Sequence, residues 1–100
     1  ALACEEKPDL LLDFATLTGA ARVALGYDLP AAFSRPEKLA EGAARRGRAL
    51  GDPLWQLPLW QPYRREMRSD IADMPSIGTG KAGAIHAALF LESFVAPGVE

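Results

Sequence analysis

Apolar positions fall along this chain in runs of different spacing, and each spacing predicts a different element. Leu10-Leu11-Leu12-Asp13-Phe14 is apolar without a helical period, with Pro8 and Asp9 before it and Thr18 and Gly19 after it. Such a run predicts a strand buried on both faces, as in a parallel sheet. Thr16, Leu17, Thr18 and Gly19 then sit at its C-terminal end, where open α/β sheets place their ligands. Gly19 lets a backbone come close, and a main chain turning off a strand presents N–H and C=O groups to a crevice. On the residues alone, an ordinary strand-to-helix turn is the favoured reading of these four positions.

The remaining runs predict helices and short strands. Residues 20–25 form an apolar patch closed by Gly26, read as a short helix capped by the Thr18 hydroxyl, with a second strand as the alternative. Residues 29–33 read as a weak strand that Pro30 confines to an edge or a strand start. Ser34-Arg35-Pro36-Glu37 has the form of a capping box, with the Ser hydroxyl serving the Glu37 N–H and the Glu side chain reaching back. The helix it opens should run to about Leu50 and stop at Gly51, although Gly42 and Gly47 each cost roughly 1 kcal/mol relative to Ala. Residues 52–62 carry three prolines beside Trp55, Trp60 and three leucines. A loop with such anchors must press on its own core, a neighbouring domain or another subunit. Residues 62–68 predict a short polar helix with Pro62 at its first position, and residues 69–74 a short strand. Residues 76–80 predict a glycine-containing loop, and residues 82–95 a helix apolar nearly all round and therefore buried on most sides.

Composition narrows the class of protein. Over 100 residues, 49% are hydrophobic and 24% charged, ordinary values for a globular domain or part of one. The net charge of −2 gives no electrostatic reason to expect nucleic acid or an anionic membrane as partner. No apolar run approaches the roughly 20 residues of a membrane span. The acidic N-terminal stretch does not read as a secretory signal. One cysteine, Cys4, excludes an internal disulfide framework and suits a reducing cytosol. Residues 1–6 read as the last turns of a helix begun earlier and ended by Pro8, so a fragment of a longer chain is expected.

Most candidate chemistry dissolves on inspection. Gly78-Thr79-Gly80-Lys81 fails as a phosphate loop, because Pro75 and Ala82 stand where Gly and Ser or Thr are needed. A glycine hinge into the following helix is the better account. His86 stands alone among alanines and leucines, with no second His or Cys one turn away, so a core or interface histidine is favoured over a metal ligand. Asp70 and Asp73 could pair as ligands only on a helix. Cys4 lacks a sequence-evident base. Arg45, Arg46 and Arg48 complement a helix dipole, and a solvated helix end is favoured over an anion site.

Three collinear blocks resemble one family. DFATLTGAARVALG is similar to the segment that follows the metal-binding signature of the leucyl (cytosol) aminopeptidases, which reads close to D-x-A-T-L-T-G-A. DPLWQLPLWQPYRREMRSDIADMPSIG resembles that family's W-x-L-P-L…Y…S-x-x-A-D-x-x-N-I-G block, and KAGAIHAALFLESFV its A-G-x-I-x-A-x-x-F-L-x-x-F helix. At His86 the family usually has a small residue or Thr. The resemblance covers nearly the whole chain and reverses the odds at Thr16–Gly19. It implies that this loop walls the substrate pocket. The main chain at Leu17 would hydrogen-bond the bound peptide, with Thr16 and Gly19 lining the space for the first side chain and Thr18 beside them.

The resemblance implies a parent enzyme: a cytoplasmic, hexameric metalloaminopeptidase that removes leucine-like N-terminal residues from peptides. Its hydrolysis would run through two divalent ions, Mn or Zn, that activate a shared water. The metal ligands and the catalytic Lys and Arg belong to motifs upstream, around an N-T-D-A-E-G-R signature. No residue of this chain is therefore assigned a catalytic or metal-binding role, and the 100-residue chain alone is expected to bind no metal and to be inactive. The fold expected is α/β, a three-layer α/β/α arrangement on a mixed sheet. Residues 1–100 would be a partial C-terminal catalytic domain, an incomplete fragment with apolar surface exposed around its leucine strand. The alternatives are a non-catalytic α/β structural or interaction module on the same scaffold, and an unrelated hydrolase with Thr16 or Thr18 as nucleophile.

Overall fold

The computed structural model describes residues 2–70 and 81–100. Helix α1 spans Leu2–Glu5 and α2 Ala20–Leu25; strand β1 is Ala31–Ala32, α3 Glu37–Leu50 and β2 Trp55–Gln56. A 3-10 turn at Gln61–Tyr63 continues as α4, Arg64–Asp70, and α5 runs Gly83–Glu92.

Proline governs where these elements begin and end. Lys7, held out of the right-handed helical region by Pro8, takes a φ of 52° and stops α1. Pro30 can give no N–H, so β1 starts after it, and β2 fits between Pro53 and Pro58. The two strands pair in parallel, Ala31 opposite Trp55 and Ala32 opposite Gln56. The Trp55 N–H donates to the Pro30 carbonyl at 2.8 Å and the Leu57 N–H to that of Ala32 at 2.9 Å. Parallel strands need a crossover, and α3 supplies it, making a small βαβ unit.

Helix α3 opens differently from the capping box its sequence spells. Pro36 remains extended as the N-cap, so the helix starts two residues later than the box requires and Glu37 receives no side-chain cap. Ser34 instead accepts from the Ala40 N–H at 3.1 Å and donates to the Pro36 carbonyl at 2.6 Å. The helix stops where expected. Gly51 is left-handed, with φ 74° and ψ 18°. Its N–H donates to Arg48 at 3.4 Å and that of Asp52 to Gly47 at 2.9 Å, a Schellman closure. Ala40 and Ala44 bury the inner stripe of α3, and Gln56 ties β2 to it through the Glu37 carbonyl at 3.1 Å.

Helix α5 carries the most buried large side chain, Leu89, and packs on α2 and α4. Its regular part is shorter than expected, beginning at Gly83 after a left-handed Ala82 and loosening into turns beyond Glu92. The short helix after Gly19 and its stop at Gly26 are as expected. The polar helix at residues 62–68 is the 3-10 turn plus α4, which carries on through Ser69 and Asp70, so the strand expected from residue 69 does not start there. The rest of that strand, Asp73, and the glycine loop at residues 76–80 lie outside the described residues.

The largest departure is at residues 10–14. They join no ladder; among the described residues their one backbone hydrogen bond runs from the Leu11 N–H to the Glu100 carbonyl at 2.7 Å. Phe14 is 93% exposed and Leu12 63%, with Leu10 and Leu17 also open to solvent. A strand buried on both faces needs a neighbour on each edge and a layer over each face, and among the described residues β1 and β2 pair with each other alone. Exposed apolar surface is therefore present here, and among the described residues no sheet covers it. The molecule is a slab of 42 × 35 × 21 Å with mixed helix and short parallel strand, consistent with α/β.

Candidate functional site

Thr16, Leu17, Thr18 and Gly19 lie together on the open side of the slab, all exposed. The Thr18 hydroxyl accepts the Ala20 N–H at 3.3 Å and the Gly19 carbonyl accepts the Val23 N–H at 3.2 Å, so the second half of the loop is spent on starting α2. Thr16 and Leu17 make no hydrogen bond within the described residues. Gly19 has an ordinary right-handed backbone, φ −78° and ψ −2°. A Cβ built there would meet nothing within 4 Å. Among the described residues nothing approaches Gly19, and the glycine faces open space.

The loop is held in place through α2. A methyl group at Gly83 would come within 2.9 Å of the Ala20 Cβ, so the N-termini of α2 and α5 meet with no room for a side chain between them.

Two polar clusters were not foreseen as such. Glu92, at the end of α5, accepts from Arg35 Nε at 3.1 Å, from Gln61 Nε2 at 3.2 Å and from Arg64. Burial alone would raise its carboxyl pKa, but the hydrogen bonds from Gln61 and Arg35 and the charge of Arg64 outweigh it and hold the group below the ordinary glutamate range. These partners are far apart in sequence and follow no local period. The second cluster is His86, whose ring meets Tyr63 edge-on at 5.4 Å and whose Nε2 lies 3.2 Å from a Glu66 carboxylate oxygen. The Nε2 atom makes no hydrogen bond among the described residues. His86 is thus half-buried between α4 and α5 as a packing residue, but without the satisfied ring nitrogens expected of it.

Cys4 is engaged structurally. The Ala96 N–H donates to its Sγ at 3.4 Å and holds the thiol below its ordinary pKa, joining α1 to the C-terminal tail. Arg48 stacks over Trp55 at 5.8 Å, while Arg45 and Arg46 are solvated as expected. A cleft of about 720 Å³ lies between Cys4, Lys7, Asp9 and the tail, away from Thr16–Gly19. Among the described residues no three His, Cys, Asp or Glu side chains converge as a metal site would require. No helix among them is long and apolar enough to cross a membrane.

Comparison with known proteins meets this geometry. Proteins named "Probable cytosol aminopeptidase" from Chlorobaculum parvum and Roseiflexus castenholzii are 48% and 49% identical over 91% and 88% of the chain. Each alignment covers 18% of the relative's own length, so the chain spans less than a fifth of these proteins. The crystal structure of cytosol aminopeptidase from Coxiella burnetii superposes with a TM-score of 0.76 at 41% identity, covering 98% of this chain and 22% of that one. A mutant of tomato leucine aminopeptidase superposes with a TM-score of 0.83 at 41% identity, covering 98% of this chain and 19% of its own. The sequence pattern of the cytosol aminopeptidase family, catalytic domain, matches residues 1–100 throughout. The chain belongs to the cytosol aminopeptidase family.

Proposed function

We propose that these residues form the pocket-wall part of a metal-dependent aminopeptidase that removes leucine-like N-terminal residues from peptides. Leu17 offers its main chain to the bound peptide, and Thr16 and Gly19 bound the space for the first side chain. Thr18 steadies the loop by accepting the Ala20 N–H just ahead of α2. The observation that carries this reading is the exposed Thr-Leu-Thr-Gly rim, where the Thr16 and Leu17 main chain makes no hydrogen bond among the described residues and Gly19 faces open space.

The described residues do not suit a dinuclear metal centre, since no three ligand side chains converge. We therefore derive no step through a metal from this chain, and assign the two Mn or Zn ions, their ligands and the catalytic Lys and Arg to the rest of the longer protein. Such ions, where bound, would supply Lewis-acid polarisation and a water of lowered pKa. The exposed leucines of residues 10–14 support the same division, because they match a strand lacking its neighbours. In the parent, residues 1–100 would be a partial C-terminal catalytic domain, with residues 10–14 completing the mixed sheet of a three-layer fold. We extend the proposal to a cytoplasmic homohexamer, as the family resemblance implies.

The test is hydrolysis of leucine p-nitroanilide with added Mn²⁺ or Zn²⁺, by this chain and by the full gene product. Activity in the full product alone is expected, together with N-T-D-A-E-G-R encoded ahead of Ala1. Hydrolysis by the chain alone would overturn the division of roles. A full product without that signature and without activity would leave a non-catalytic module on the same scaffold.

A further inference from the structure

We infer that Arg35 is a positioning residue for the pocket wall, acting through α5; the inference rests on the pocket role proposed above for Thr16–Gly19. All five guanidinium N–H groups of Arg35 are used. Nε donates to the Glu92 carboxylate at 3.1 Å, Nη1 to the Ala96 and Val99 carbonyls at 2.8 and 3.2 Å, and Nη2 to those of Glu92 and Val95 at 3.3 and 2.8 Å. The last carbonyls of a helix have no partner within it, and a cation there also complements the helix dipole. Of these carbonyls that of Glu92, which also accepts the Val95 N–H, belongs to α5, and those of Val95, Ala96 and Val99 lie in the turns beyond it, so Arg35, 57 residues from Glu92 in sequence, grips the last residue of α5 together with the tail that follows. The Glu92 carboxylate adds a second bracket through Gln61 and Arg64, fixing the same end against the start of α4.

Helix α5 is a rod of 10 residues, about 15 Å long at 1.5 Å per residue. Its far end is the Gly83–Ala20 contact, where a single methyl would already be too close. Ala20 in turn gives its N–H to the Thr18 hydroxyl. A rod clamped at one end and touching without slack at the other transmits a tilt at its clamp to the loop it touches. Lysine cannot replace this clamp, because a point charge does not reproduce five donors in a fixed fork.

The test uses the longer aminopeptidase that carries this chain. Arg35→Ala is expected to raise KM for leucine p-nitroanilide by about tenfold with kcat changed less than about twofold, since it alters substrate placement and touches no reacting atom. The preference for leucine over alanine p-nitroanilide should fall with it, and Arg35→Lys should recover only part of the loss. Melting temperature is measured alongside. A lowered melting temperature with KM and preference unchanged would overturn the inference, making Arg35 a stabilising clamp and nothing more. Should Arg35→Ala fail to fold, Arg35→Lys and Glu92→Gln read the same split. Gly19→Val separates the two levels of the proposal, because it should reduce the leucine preference through the pocket directly. An altered preference in Gly19→Val with silent Arg35 variants overturns this inference alone; an unaltered one removes the pocket role and the inference with it.

Discussion

Gly42 and Gly47 share a helix, yet a methyl group has opposite consequences at the two. At Gly42 a Cβ would meet nothing within 4 Å, so the only effect of alanine is its better helix propensity. Gly42→Ala should stabilise the chain by about 1 kcal/mol in urea unfolding. At Gly47 the same Cβ would lie 2.4 Å from the Asp52 carbonyl oxygen, which the Schellman closure brings back over the helix. Relieving that clash means opening the closure, so Gly47→Ala should destabilise by about 1–3 kcal/mol despite the propensity gain. Both glycines look alike in the sequence. Gly47 is explained by a backbone contact that forms only when the helix ends at Gly51, and Gly42 has no such reason.

At the level of elements, α5 is held by charge at one end and by close packing at the other. Glu92 makes the charged end sensitive to acid. Its folded pKa lies below the ordinary range, so its contribution is complete above that range and is lost as pH falls through the folded value. Melting temperature should therefore fall as pH drops below about 4.3, the ordinary glutamate value. Glu92→Gln should lower the melting temperature at neutral pH and flatten that acid slope. A slope unchanged in Glu92→Gln would assign the acid sensitivity to other carboxylates. The start of α3 teaches a related point. The Ser-x-x-Glu spacing was legible, but Pro36 holds itself extended and moves the helix start, so the serine serves Ala40 instead.

Over the whole molecule, the leucine segment sets the behaviour. Phe14 and Val23 are each more than nine-tenths exposed and Leu12 is 63% exposed, large apolar side chains of the kind that favour association. The chain by itself should bind a hydrophobic dye such as ANS and self-associate in sedimentation. Phe14→Ser should reduce both while shifting its stability by no more than about 0.5 kcal/mol, as for other surface positions. Where residues 10–14 complete the sheet of a longer protein as proposed, the same substitution would remove a core side chain and should cost about 3 kcal/mol or more. Equal effects in the two contexts would show that Phe14 stays exposed in both.

Much of this protein could be read from local pattern. Gly26 and Gly51 as helix stops, Pro30 as the limit of a strand and α5 as the most apolar helix each depend on interactions within a few residues. The Thr16–Gly19 rim was singled out through motif alone, since four small or uncharged residues in a turn carry no periodic signal. Only the folded chain decided that residues 10–14 stand open, because pairing depends on what else is present to pair with. It alone, too, brought Arg35 to the end of α5 and Ala20 against Gly83. Contacts between positions nearly sixty residues apart are set by how the helices pack, and no spacing along the chain encodes them.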